Sequence, residues 1–165
     1  MKRGMPWRGL WRNWTTRTAN MKGGHPMARG YLFDTVACSR WRRGDAVLRR
    51  KVTALPPDTP LYASVISVGE LVLGVHKAPP EHRQKLAQRT QEMLARFQAL
   101  IEVNREIADR YGEIVSQVPP GQHIGQNDYW IAATALTHDL VLITDDPDFD
   151  RVPGLRKENW LKETG

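Results

Sequence analysis

The feature that most constrains the fold is a short apolar run, Leu140-Val141-Leu142-Ile143, bounded on both sides by turn chemistry. An uninterrupted run of this length fits a strand covered on both faces, as in a parallel sheet flanked by helices. Before it, Trp130, Ile131, Ala133, Thr134, Ala135 and Leu136 have the spacing of a largely buried helix, opened by Asn127-Asp128 and broken by His138-Asp139. After it, Thr144-Asp145-Asp146-Pro147-Asp148 caps the strand. Asp128 is thus expected near a helix start. Asp146 is expected just past a strand end, where open α/β sheets hold their ligands.

The rest of the chain repeats the pattern. Gly30-Tyr31-Leu32-Phe33 predicts a first strand ending in Asp34-Thr35, followed by a basic helical stretch, Val36–Arg50, with a break at Gly44-Asp45. Leu55–Pro60 reads as a loop and Leu61–Ile66 as the second strand. Ser67 is expected to start a helix, Val68–His76, which Pro79-Pro80 stops. Glu81–Leu100 reads as a long amphipathic helix, with Leu86, Met93, Leu94, Phe97 and Leu100 or Ile101 at three-to-four spacing. Ile101–Val103 is expected as a brief third strand, Asn104 as the cap of a helix Arg105–Val118, and Gly154–Trp160 as a closing edge strand. Short apolar strands joined by helical crossovers argue for an α/β fold, a three-layer α/β/α sandwich with a short parallel sheet.

Charge separates the first residues from the rest. Residues 1–29 carry seven Lys/Arg and no acid, against a formal net charge of +6 for the whole chain, so the remainder is slightly acidic. The basic pI is therefore no argument that the folded body binds nucleic acid. We expect a division into a basic leader rich in Trp, Arg and Gly (1–28) and one folded unit (29–162). Trp7, Trp11 and Trp14 at helical spacing could mark a membrane-surface or RNA-stacking segment; the plainer reading is a disordered leader, or a start placed upstream of Met27. No apolar run approaches the roughly 20 residues that span a membrane. The lone Cys38 cannot form an internal disulfide and no Cys/His spacing suggests zinc, which fits a reducing cytoplasm.

Four carboxylates stand at comparable places: Asp34 after the first strand, Glu70 in the helix after the second, Asp128 at a helix start, and Asp146 after the fourth strand. Each has a plainer explanation. Asp34 and Asp146 could be helix caps, Ser67-Val68-Gly69-Glu70 matches a capping box, and Asp128 suits a helix dipole. Gathered at one sheet edge, however, four like charges repel, and a divalent cation removes that difficulty. Oxygen ligands without a Cys or His cluster suit Mg²⁺, with Mn²⁺ as a substitute. Such an ion activates water and neutralises phosphoryl charge, the requirements of a phosphodiesterase.

The stretches Tyr31-Leu32-Phe33-Asp34-Thr35, Ile66–Leu71, Gly125–Ala133 and Leu142–Phe149, with Pro153–Trp160, resemble in order those of PIN-domain ribonucleases of the VapC toxin type. The resemblance covers about residues 28–160. It implies a PIN-like fold with Asp34, Glu70, Asp128 and Asp146 as catalytic, metal-binding acids, Asp148 as a further ligand, and help from the Thr144 hydroxyl. It also implies Mg²⁺-dependent cleavage of RNA, often tRNA or ribosomal RNA, a homodimer, inhibition by a cognate antitoxin, growth arrest when unopposed, and no membrane. Arg40, Arg42 and Arg43 are candidates to hold the RNA backbone. The amphipathic Glu81–Leu100 segment is a candidate antitoxin groove, unless its stripe packs only on the chain's own core.

Two positions depart from the family pattern. Val36 stands where a polar residue, commonly Asn, is usual; Thr35 and Ser39 could replace its support of Asp34. Asp145 stands where Arg or Asn is common, and adds negative charge beside the expected phosphate. Two rival readings are a non-catalytic PIN-fold domain that binds RNA or a partner, and a haloacid-dehalogenase-like phosphohydrolase with Asp34 as nucleophile. The latter wants a second Asp where Val36 stands. His76, His82, His123 and His138 have no metal or triad spacing and read as surface or packing residues, and Cys38 as a small buried one.

Overall fold

The computed structural model describes residues 30–163. The expected leader, residues 1–28, lies outside them. Twelve elements follow in order. They are β1 (Tyr31–Phe33), α1 (Thr35–Arg43), α2 (Ala46–Thr53), β2 (Leu61–Ser64), α3 (Val65–Lys77), α4 (Pro80–Leu94), β3 (Ala99–Ile101), α5 (Arg105–Gln117), α6 (Gln126–Thr137), β4 (Val141–Ile143), a 3₁₀ turn (Pro147–Arg151) and β5 (Lys157–Glu158). The strands form one five-stranded sheet in the order β3-β2-β1-β4-β5. Every neighbouring pair is parallel.

Strands β1 to β4 are covered on both faces, and their alternate residues feed different cores. Leu32, Tyr62 and Leu142 point to one side, with Ile107, Ile114, Ile131 and Phe149 from α5, α6 and the 3₁₀ turn. Phe33, Ala63 and Ile143 point to the other, with Trp41, Leu48, Met93 and Trp160. There Phe33 meets Trp41, Phe97 and Trp160 at ring-centroid distances of 5.0, 5.4 and 5.8 Å. Tilted and edge-on aromatic contacts of this kind add to area burial. The expected three-layer α/β/α sandwich is what forms.

Several expected boundaries move. The second strand ends at Ser64 and not at Ile66, because its pairing with β1 stops at Phe33↔Ala63 and with β3 at Ser64↔Ile101. The Ser64 hydroxyl then accepts from the Ile66 amide at 3.2 Å and starts α3 three residues early. The helix expected over Glu81–Leu100 stops at Leu94, since Ala99–Ile101 pairs with β2. The third strand is therefore Ala99–Ile101 rather than Ile101–Val103, and Val103 is exposed. The closing strand shrinks to Lys157–Glu158. The break at Gly44 is real: its φ of 85° ends α1 in the left-handed region that glycine tolerates best. Asn104 caps α5 as expected, accepting from the Ile107 amide at 3.0 Å. Among the described residues no helix is long and apolar enough to cross a membrane.

Candidate functional site

Parallel pairing of β1 with β4 sets the site. The register Phe33↔Ile143 puts Asp34 and Thr144 at the same carboxyl edge, and the Asp34 amide donates to the Ile143 carbonyl at 3.2 Å. Asp34 is only 3% exposed. Its Oδ1 accepts from the Ala37 amide at 2.6 Å, so the acid does cap α1. Burial nevertheless pushes its carboxyl up to about 6; the Ala37 amide and Thr144 hydroxyl oppose this, while the charges of Asp145 and Asp128 add to it.

Glu70 reaches the same edge from α3. The capping box is not formed, because Ser64 and not Ser67 caps the helix. Instead Glu70 accepts from the Thr35 hydroxyl on Oε2 and from Asn127 Nδ2 on Oε1, the latter at 3.1 Å. It thereby ties the residue after Asp34 to the residue before Asp128. Val36 is 43% exposed, and the Thr35 hydroxyl supports Glu70 rather than Asp34, which is held instead by the Ala37 amide and the Thr144 hydroxyl.

Asp128 lies in the first turn of α6 and is half-buried. Desolvation pushes its carboxyl up to about 6, reinforced by the charges of Asp146, Glu70 and Asp148. Gly125 makes room for it: a Cβ there would come within 2.8 Å of Asp128 Oδ2. Asp146 caps the 3₁₀ turn through the Asp148 amide at 2.8 Å, and its own amide donates to Thr144 Oγ1 at 3.1 Å. Asp148 is paired with Arg151 at 3.1 Å.

The four acids therefore come from four separate segments to one edge, and the fields of Asp146, Glu70 and Asp148 meet at Asp128. The donor set is all carboxylate and hydroxyl oxygen, which suits a hard divalent cation. Burial is the first cause that raises Asp34 and Asp128, and a cation there would relieve the like-charge repulsion that adds to it. Among the described residues, no three His, Cys, Asp or Glu side chains stand close enough together to hold a metal ion as they are placed here.

The basic candidates divide. Arg40 pairs with Asp45 at 2.9 Å and Asp145 at 3.7 Å, and donates to the Leu161 carbonyl at 3.2 Å. Arg42 donates to Thr90 Oγ1 at 3.2 Å, with its Nε buried without a partner. Arg43 is exposed. His76, His82 and His123 are exposed and His138 is half-buried. Cys38 is fully buried and its thiol is pushed up by burial and by Asp34, as befits a packing residue. Asn127 and Gly125 were legible only as parts of a motif; the bond from Asn127 to Glu70 spans 57 positions and has no local signal.

The sequence pattern of the PIN domain matches residues 31–155. The chain belongs to the PIN domain family. The chain is 29% identical over 135 residues to Ribonuclease VapC1 of Haemophilus influenzae (strain R2866), covering 80% of this chain and 98% of the relative. It is 31% identical over 91 residues to Ribonuclease VapC4 of Mycobacterium tuberculosis, covering 54% and 69%. Among solved structures it resembles VapBC2 from Rickettsia felis bound to a DNA fragment from their promoter (TM-score 0.73, 26% identity, covering 79% of this chain and 98% of that one). It also resembles VapBC-1 from nontypeable Haemophilus influenzae (TM-score 0.71, 27% identity, 80% and 98%).

Proposed function

We propose that this PIN-domain protein is a VapC-type ribonuclease toxin, a divalent-metal-dependent endoribonuclease held in check by a cognate antitoxin. The observation that carries the reading is the convergence of Asp34, Glu70, Asp128 and Asp146 on one sheet edge, with two of them pushed up to about 6. Similarity to proteins named ribonucleases over nearly their whole length supports the activity. The neighbouring toxin–antitoxin complexes support the partner. We take Mg²⁺ as the ion, tRNA or ribosomal RNA as substrate, the cytoplasm as the site of action and a homodimer as the working unit.

Asp34, Glu70 and Asp128 would hold the ion, with Asp146 sharing it or placing a second, and Asp148 outside them. When bound, the ion lowers the pKa of water and offsets charge on the phosphoryl oxygens. The chain's own part is orientation. The Ala37 amide and Thr144 hydroxyl fix Asp34, Thr35 and Asn127 fix Glu70, and Gly125 leaves Asp128 its space. A carboxylate at this edge accepts the proton of the water that attacks phosphorus in line. Arg43 is the basic candidate still open to an RNA backbone.

The test is cleavage of bulk tRNA and ribosomal RNA with Mg²⁺, with EDTA, and by the Asp34→Asn and Asp128→Asn variants. Cleavage should need the ion and fall by on the order of a hundred- to a thousand-fold or more in each variant. Undiminished cleavage in either variant, or in EDTA, refutes the metal assignment.

A further inference from the structure

Asp145 is the residue that sits least comfortably at the rim. It adds another carboxylate to an edge where a phosphate would approach, and its charge already bears on Asp34. The structure supplies a partner. Arg40 Nη1 lies 3.7 Å from Asp145 Oδ2, and the same guanidinium is anchored by Asp45 Oδ2 at 2.9 Å and by the Leu161 carbonyl at 3.2 Å. Asp45 is itself fixed, capping α2 through the Leu48 amide at 3.0 Å. The side chains are partly shielded, 35% exposed for Arg40 and 27% for Asp145, so the pair is screened less than one on open surface.

We propose that Arg40 is a positioning residue that acts through Asp145: it neutralises that carboxylate and turns it away from the incoming RNA phosphate. This rests on the ribonuclease reading and assigns Arg40 a role other than direct contact with RNA. Two features of the geometry favour it. The guanidinium has three acceptors within the chain, two of them carboxylates, and so is largely committed. Asp45 holds it by Nε, and Nη1, which donates to the Leu161 carbonyl, is thereby fixed 3.7 Å from Asp145 Oδ2. A guanidinium fork suits such shared anchoring better than an ammonium would.

The experiment is a double-mutant cycle on Mg²⁺-loaded enzyme, reading KM and kcat separately on an end-labelled random-sequence oligoribonucleotide. Arg40→Gln frees the charge of Asp145 and should raise KM by roughly 3- to 10-fold, with kcat changed less. Asp145→Asn alone should leave KM unchanged or lower. Arg40→Gln combined with Asp145→Asn should return KM to the value of Asp145→Asn. Arg40→Lys, which keeps the charge if Arg40→Gln does not fold, should stay within about two-fold of the native KM. If Asp145→Asn fails to rescue Arg40→Gln, Arg40 acts on RNA directly or only braces the fold, and the proposal is overturned. Lack of any cleavage by the native chain would instead sink the ribonuclease reading.

Discussion

Two helix starts lie eleven residues apart in the chain and look alike locally. Asp34 caps α1 through the Ala37 amide, and Asp45 caps α2 through the Leu48 amide. Their surroundings differ. Asp45 has Arg40 beside it and a carboxyl held below its ordinary value, first by the Leu48 amide. Asp34 is buried near other acids, has no salt bridge among the described residues, and its carboxyl is pushed up to about 6, first by burial. The contrast teaches that a cap hydrogen bond does not distinguish a structural acid from a chemical one. What distinguishes them is whether the remaining charge is already answered by the chain.

The largest expected break between the two acids is in activity. Asp34→Asn keeps a capping oxygen and should still fold, yet lose on the order of a hundred-fold or more in RNA cleavage. Asp45→Asn should stay within roughly ten-fold of the native rate, since it touches the rim only through Arg40. Equal losses in an RNA cleavage assay would erase the distinction.

Next comes stability in metal-free buffer with EDTA. The native pKa of Asp34 is above its unfolded value of 3.8, so the folded state binds more protons than the unfolded state between pH 3.8 and about 6. Native stability should therefore fall as pH rises through that window, relative to Asp34→Asn. Above it the variant should be the more stable by up to about 3 kcal/mol, and near pH 4 the gap should close. Asp45 has the opposite sign. Its lowered pKa contributes stability above its ordinary value that is lost as pH falls. Asp45→Ala should cost about 1 kcal/mol at neutral pH from the lost cap. Urea unfolding at several pH values measures both, and parallel curves for native protein and Asp34→Asn would contradict the account.

The chain's legibility follows the same division between local and distant causes. Asp34, Asp128 and Asp146 could be picked out because each follows a strand or opens a helix, and strand ends and helix starts have local signals; Glu70 was expected in a first turn, but α3 starts at Val65 and puts it in the second. Those signals also allowed caps, and two of the four acids do cap. The early start of α3 was hidden because Val65 and Ile66 are β-branched and continue an apolar run; only the partners of β2 decide where it ends. The end of α4 was hidden because Phe97 and Leu100 keep helical spacing, while β3 is claimed by pairing with β2. Met93, Leu94, Phe97 and Leu100 are all buried in the chain's own core, which leaves that stripe little to offer an antitoxin.

Smaller effects should sharpen the picture at the edge itself. Gly125→Ala places a Cβ against Asp128 Oδ2 and should reduce cleavage by about ten-fold with little loss of stability. Thr35→Val removes the hydroxyl that holds Glu70 and should weaken cation affinity by a few-fold to about ten-fold, read as a shift in the Mg²⁺ dependence of the rate. Activity unchanged in both would mean that orientation of Glu70 and Asp128 matters less than their charge.

The most direct measurement is Mn²⁺ binding near pH 6, where Asp34 and Asp128 are about half-protonated, by calorimetry and electron paramagnetic resonance, on the native chain, Asp34→Asn and Asp128→Asn. Acids from separate segments that share one ion predict binding with proton release in the native protein and a marked loss of affinity in both variants. Native-like affinity in either variant, or no saturable binding by the native chain, would contradict a common cation site at this edge.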